Sequence, residues 1–114
     1  MRGYTRRSSP IEILRETVVS LIRRDGPDLS ARQLGIFLTV CLCEGPHTVR
    51  GLATSLALSK SVITRALDRL EAFELVHRTI DPDDRRSVFV QQTGRGAALV
   101  REIHQIMREA RSAS

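Results

Sequence analysis

Apolar residues recur along this chain at two different spacings. Repeats of three and four residues predict helices over residues 10–24, 30–44, 49–57, 59–73 and 94–111, because one face of a helix repeats every 3.6 residues. Alternating or clustered apolar and β-branched residues predict strands over 75–80 and 87–91. The pattern therefore predicts four helices, a hairpin and a last helix.

Polar residues that cap helices support these boundaries. Ser9 precedes Pro10, Ser30 precedes Gln33 by three residues as in a capping box, and Thr93 precedes the last apolar stripe. The dipeptides Gly26-Pro27 and Gly45-Pro46 end the first two helices. The second helix is apolar almost all round from Leu34 to Leu42 and is expected to be the central buried helix.

The predicted helix from Ser59 to Phe73 has two different faces. Its packing face would carry Val62, Ile63, Ala66, Leu67, Leu70 and Phe73, and its polar face Ser61, Thr64, Arg65, Asp68 and Arg69. With the short helix before it, it forms a predicted helix-turn-helix over about 48–73, whose second helix would enter the major groove of DNA. Such helix pairs are also common in proteins that do not bind DNA.

A charged hairpin follows this helix pair directly and strengthens the hypothesis that the protein binds DNA. The segment Asp81-Pro82-Asp83-Asp84-Arg85-Arg86 is predicted to be a polar turn between two strands of a wing over about 75–91. His47-Thr48 is expected to pair with this wing as a short extended segment. The predicted fold is mainly α (α+β), a winged helix-turn-helix with a two-stranded wing.

The length of the chain predicts a single domain, and its net positive charge is suited to binding nucleic acid. Residues 9–114 are the size of one domain, and residues 1–8 read as a flexible basic arm. The net charge is +5, and the span between Glu44 and Asp68 has no acidic residue but contains Arg50, Lys60 and Arg65. The positive field is thus concentrated on the helix-turn-helix.

The segments TVRGLATSLALSKSVITRALDRLE and LVHRTIDPDDRRSVFVQQTGRG together resemble the core of a MarR-family winged-helix transcription regulator, from about Thr48 to Gly96. The resemblance implies a regulator that binds double-stranded DNA as a homodimer on a pseudo-palindromic site. Family members usually have a glycine where this chain has Glu74, and a residue with a side chain forced to positive φ would cost about 1 kcal/mol there. Either the helix ends differently in this chain or the strain is tolerated. By this resemblance the chain is also expected to be one helix shorter at its C-terminus than the usual member, and its small-molecule effector is unassigned.

Eight residues are candidates for DNA contacts. Ser61, Thr64 and Arg65 are expected at base edges, and Ser59, Lys60 and Arg69 at phosphates. Since Arg85 and Arg86 are adjacent, one is expected to reach the minor groove while the other forms an ion pair that holds the wing at a fixed angle. The resemblance assigns Arg85 to the tip of the wing and Arg86 to the brace.

The first and last helices, over 10–24 and 94–111, are expected to hold the dimer. Each carries a broad apolar stripe, and a compact monomer of this size would leave part of that surface exposed. In the last helix the stripe consists of Leu99, Val100, Ile103, Ile106, Met107 and Ala110.

Other classes of function find less support in the sequence. A protein-interaction winged helix that docks another regulator is the main alternative, favoured by the acidic residues Asp68, Asp83 and Asp84. No arrangement of nucleophile, base and acid suggests an enzyme, and no metal site or cofactor is expected. With no apolar run long enough to span a membrane and no signal-peptide core, the chain is expected to be cytoplasmic.

The two cysteines are predicted to be buried and without a sensing role. Cys41 and Cys43 stand two residues apart on a predicted helix, so they cannot form a disulfide with each other in regular helix geometry. The alternative is oxidant sensing, which some MarR relatives carry out with cysteines.

Overall fold

Five helices and a three-stranded antiparallel sheet make up the computed structural model, which describes residues 8–112. The order along the chain is α1 (Pro10–Arg23), α2 (Ala31–Leu42), β1 (His47–Thr48), α3 (Val49–Leu56), α4 (Lys60–Ala72), β2 (Val76–Asp81), β3 (Asp84–Gln92) and α5 (Gly94–Ser112). The expectation of a basic arm concerns residues 1–7, which lie outside the described residues, and Ser8. The fold is a winged helix-turn-helix, mainly α, as predicted.

Residues 29–99 form one compact unit. Its core is made of side chains from α2, α3, α4 and the sheet, and the largest of those that exclude solvent almost completely are Ile36, Phe37, Leu52, Ile63, Leu67, Leu70, Leu75, Val76 and Val90. The packing face of α4 contributes three of these, since the same face repeats every three or four residues. The core therefore fixes which side of α4 remains exposed to solvent.

The terminal segments, residues 8–28 and 100–112, form the second unit. The Ser9 hydroxyl accepts a hydrogen bond from the Glu12 amide, and the Glu12 carboxylate accepts one from the Ser9 amide, so α1 begins with the capping box typical of a stable N-terminus. Just after α1, Arg24 donates two hydrogen bonds of 2.7 Å to the carboxylate of Glu102 on α5. This bidentate ion pair joins α1 to the C-terminal part of α5.

The sheet has the order β1-β3-β2, with His47 opposite Val90 and Arg78 opposite Val90 on the other side. The expected pairing of His47-Thr48 with the wing is confirmed. The polar turn is shorter than predicted, because Asp84, Arg85 and Arg86 belong to β3 and only Pro82 and Asp83 connect the strands. The Asp81 and Asp84 carboxylates accept hydrogen bonds from the Asp83 and Arg86 amides, which lets a polar sequence close a tight turn.

Helix α4 ends at a left-handed residue that carries a side chain. Glu74 has φ 63°, its amide donates to the Glu71 carbonyl at 2.8 Å, and the Leu75 amide donates to the Leu70 carbonyl at 2.9 Å. These two bonds form a Schellman motif, in which glycine is the usual left-handed residue. The Glu74 carbonyl also accepts a 2.6 Å hydrogen bond from the Thr93 hydroxyl, whose oxygen caps α5 by accepting from the Gly96 amide. Of the two alternatives at this position, the structure has the positive φ, and neighbouring contacts hold it.

Two expectations for α2 and its C-terminus are wrong. Leu42, expected on a helix buried almost all round, is 65% exposed, because only the side of α2 that carries Ile36, Phe37 and Val40 faces the core. Cys43 is also exposed, since it follows the last residue of α2 as the C-cap instead of continuing the helix. Cys41 is half-buried, and burial raises the pKa of its thiol to about 11.

Candidate nucleic-acid interface

The exposed face of α4 contains the predicted base-contacting residues. Ser59 caps the helix, and its hydroxyl accepts a 3.2 Å hydrogen bond from the Val62 amide. Ser61, Thr64 and Arg65 are exposed, while Ile63, one residue away from Thr64, is fully buried. Since the buried face is anchored in the core, these three polar side chains point to solvent from a rigid helix, which is the arrangement that base readout requires.

A basic groove lies between the starts of α3 and α4 and strand β3. It has a volume of about 210 Å³, and its lining is Thr48, Val49, Arg50, Lys60, Thr64, Arg78, Arg86, Ser87 and Val88. The groove brings together Lys60 and Thr64 of the predicted helix with Arg86 of the predicted wing, three residues that are up to 26 positions apart in the sequence. It also adds Arg50 and Arg78, which were not among the eight candidates.

Carboxylates in the wing are engaged by neighbouring cationic groups. The Arg86 amide lowers the pKa of Asp84 by donating a hydrogen bond to it, and the side chains of Arg86 and Ser87 and the charge of Arg50 lower it further, against a smaller desolvation effect. The Arg86 guanidinium lies 3.4 Å from the Asp84 carboxylate and is 83% exposed. At neutral pH Asp84 is therefore ionised and fixes the turn through the Arg86 backbone.

The ion pair expected for Arg86 lies within the wing, and another residue makes the ion pairs between the wing and α4. Arg86 pairs with Asp84 in its own strand, so this ion pair does not connect the wing to α4. The connection is made by Arg78 of β2, which contacts Asp68 and Glu71 of α4 at 2.7 Å each. The sequence carried a signal for this, because Arg78 shares a face of its strand with Val76, and Asp68 and Glu71 stand three residues apart on α4.

The other candidates lie along the exposed surface of the same two elements. Arg69 stacks on the ring of Phe73 one turn later in α4, with its guanidinium carbon 5.1 Å from the ring centroid, a cation–π contact that limits its reach to a phosphate. Arg85 is exposed in β3, next to the turn. The eight candidates are thus all on α4, its cap or the wing, and Lys60, Thr64 and Arg86 line one groove.

Comparison with known proteins identifies the family. The model of the MarR family matches residues 29–88, which include the whole helix-turn-helix and most of the wing. The chain belongs to the MarR family. Among curated relatives of this MarR-family chain, the transcriptional repressor NicR of Pseudomonas putida is 35% identical over 88 residues, which cover 75% of this chain and 54% of NicR.

Solved structures agree with this assignment. A MarR variant of Escherichia coli in complex with operator DNA is 30% identical, with a TM-score of 0.69 over 85% of this chain and 64% of that one. The transcriptional regulator Tm0710 of Thermotoga maritima is 26% identical, with a TM-score of 0.70 over 87% of this chain and 67% of that one. The MarR-family chain spans about half the length of the curated relatives it matches. Those relatives are transcriptional regulators and not enzymes, as the sequence predicted for this chain.

Within residues 8–112, no three His, Cys, Asp or Glu side chains are grouped as a metal site would need. None of the helices in that range is long and apolar enough to cross a membrane.

Proposed function

We propose that this chain is a transcription regulator that binds double-stranded DNA sequence-specifically, with α4 in the major groove and the β2–β3 wing beside it. The observation that carries the proposal is the exposed polar face of α4 bordered by the groove with Arg50, Lys60 and Arg86. The 30% identical MarR of Escherichia coli was solved with operator DNA, which supports the same use of this fold here.

In this proposal the contacts divide into two classes. Ser61, Thr64 and Arg65 read base edges, because they are exposed on the face opposite the buried residues of α4. Ser59, Lys60, Arg69, Arg50 and the wing residues Arg85 and Arg86 contact the sugar-phosphate backbone or the minor groove. Phosphate contacts supply most of the affinity, and the few base contacts select the site.

Acidic residues that favoured a protein-interaction module are largely compensated within the fold. Asp68 accepts a hydrogen bond from Arg78 at 2.7 Å, and Asp84 accepts from the amide and guanidinium of Arg86. Two of the three carboxylates that would repel DNA are thus held by arginines, which supports DNA over an acidic docking surface.

We further propose that the functional unit is a homodimer held by α1 and α5. Five large apolar side chains of the terminal unit are exposed, Ile11, Leu14, Val18 and Ile22 on α1 and Met107 on α5. The four on α1 have spacings of three, four and four residues, so they form one stripe. A stripe of this kind is typical of a surface covered by a second subunit. Such a dimer would favour two half-sites about one turn of DNA, or roughly 34 Å, apart.

Selection of duplexes from a random-sequence pool, followed by fluorescence anisotropy, tests the proposal. If a dimer neutralises about 6 to 10 phosphates, affinity falls about a thousandfold or more between 50 and 200 mM salt. The substitution Arg65→Ala should weaken binding to the selected site by about 5- to 150-fold, as expected for loss of a bidentate base contact.

Arg32→Ala is the matched control, since it removes the same charge from α2, outside the helix-turn-helix and wing. It should leave the selected site bound within about twofold of wild type. Affinity that does not respond to salt, or equal losses in the two variants, would refute sequence-specific binding through α4. In that case, the docking of a protein partner would become the leading interpretation.

A further inference from the structure

The side chain of Arg78 on β2 connects the wing to helix α4. The Nε of Arg78 donates to the Glu71 Oε1 and its Nη2 to the Asp68 Oδ1, both at 2.7 Å. The Arg78 side chain is 22% exposed, against 37% for Glu71 and 60% for Asp68. The guanidinium is therefore held between two carboxylates on successive turns of α4.

The two ion pairs depend both on the position of residue 78 and on its being an arginine. Glu71 follows Asp68 by three residues, so their side chains lie on neighbouring parts of the same helix face. Arg78 lies two residues after the buried Val76 and shares its face of β2, which packs against α4. The planar guanidinium presents several N–H groups in a fixed arrangement and can reach two carboxylates at once, whereas a lysine ammonium is a single point charge.

Burial and charge act in opposite directions on this arginine. Burial lowers the pKa of Arg78, but hydrogen bonds and charge from Asp68 and Glu71 outweigh it and raise the pKa above its ordinary value. The guanidinium of Arg78 therefore stays protonated and positively charged.

Toward its tip, the wing has little else that ties it to the helix. Within residues 8–112, the hydrogen bonds and ion pairs between α4 side chains and the hairpin all involve Arg78. The next residue on the same face of β2, Ile80, is 59% exposed, so apolar packing has ended by that point. Beyond Arg78, the hairpin is held by its own strand pairing and turn, by the pairing of Phe89 with Thr48 of β1, and by packing of β3 against α3.

We propose that Arg78 is the positioning residue that sets the angle between α4 and the wing, and that it thereby determines how Arg85 and Arg86 meet the base pairs flanking each half-site. This inference rests on the proposed function, since it concerns how the same interface reads DNA. Arg78 also compensates Asp68 and Glu71, whose charges would otherwise repel nearby phosphates. Specificity at the flanks thus depends on a residue that touches no base.

Arg78→Gln tests the proposal in the full chain, with Arg32→Gln as the control for loss of one positive charge. Two quantities are measured: ¹⁵N order parameters of the wing amides, residues 83–86, in the free protein, and the affinity ratio between selected duplexes with A·T or G·C flanks. Arg78→Gln should lower the wing order parameters and reduce the flank preference by about threefold to tenfold. Arg32→Gln should change neither quantity.

Substitutions on the helix side separate wing position from charge and from loss of folding. Asp68→Asn combined with Glu71→Gln removes both partners of Arg78 and raises the net charge, so it should loosen the wing and reduce the flank preference even though overall DNA affinity is kept or increased. Arg78→Lys should restore part of the flank preference. If Arg78→Gln does not fold, the pair of substitutions on α4 carries the test.

The possible outcomes are distinct. Unchanged wing order parameters and flank preference in Arg78→Gln, or in the α4 pair, would overturn the positioning role. A wild-type chain that selects no DNA sequence would refute the proposed function instead, and the wing order parameters of the free protein would still decide whether Arg78 holds the wing.

Discussion

Replacing Glu74 by glycine should stabilise the fold. Glu74 has φ 63°, where a side chain costs about 1–2 kcal/mol relative to glycine. Glycine also increases the conformational entropy of the unfolded chain, which offsets about 0.4–1 kcal/mol of the gain from removing this strain. The ion pair of Glu74 with Arg95, 3.7 Å long with both side chains mostly exposed, contributes close to nothing. The expected net gain is about 0.5–1 kcal/mol, as an increase in the free energy of unfolding.

Urea denaturation at one fixed protein concentration measures this gain, because a dimer would make the midpoint depend on concentration. Glu74→Ala is the matched control, since it removes the same carboxylate but keeps a Cβ at positive φ. Glu74→Ala should lie within about 0.5 kcal/mol of wild type. A second site supports the reasoning: Ala57 follows α3 with φ 55°, so Ala57→Gly should also stabilise. If Glu74→Gly is no more stable than Glu74→Ala, the backbone strain does not carry the cost assigned to it.

Three further predictions concern separate parts of the chain. Cys43 is exposed, whereas Cys41 is half-buried and the pKa of its thiol is raised to about 11. Iodoacetamide at pH 8 should therefore alkylate Cys43 before Cys41, as measured by peptide mass spectrometry. Equal alkylation rates at the two cysteines would contradict this prediction. Gly96→Ala should lower the free energy of unfolding by about 1–3 kcal/mol, because a Cβ at this position would overlap the Leu75 carbonyl oxygen. Urea denaturation measures this loss, and an unchanged midpoint would show that α5 shifts freely. Leu14→Glu should convert dimers to monomers in light scattering with wild-type circular dichroism, since Leu14 is 54% exposed, and an intact dimer would exclude α1 from the interface.

Helix boundaries were predicted from local sequence because their causes are local. Ser9, Ser30, Ser59 and Thr93 each accept a hydrogen bond from an amide two or three residues into the following helix, as their positions before apolar stripes indicated. At the end of α4, the resemblance to relatives singled out Glu74 but left open whether it takes a left-handed conformation, and the structure shows that it does. Most of the candidate interface was likewise predictable, since the periodicity of α4 alone separates its buried face from Ser61, Thr64 and Arg65.

The exact ends of some helices and strands could not be predicted from the pattern of apolar and polar residues. The predicted turn was too long because Arg85 and Arg86 are polar, yet β3 begins at Asp84, which pairs with Asp81 of β2. Residues 85–87 lie in an irregularity of the strand between this pair and the pair of Ile80 with Val88. Cys43 looked buried because it follows an apolar run, but α2 stops one residue earlier and leaves it at the surface. Where β3 begins is set by its backbone pairing with Asp81 of β2, about which composition contains no information.

Sequence alone determined the elements, their capping residues and the exposed polar face of α4, because each follows from periodicity or from contacts within a few residues. Only the tertiary structure decided which arginine links the wing to the helix. Arg78 is seven residues from Glu71 and ten from Asp68 in the sequence, and it meets them because β2 folds back over α4. Ion pairs across elements depend on how the elements pack, so the sequence offered several arginines for this role and the packing selected one.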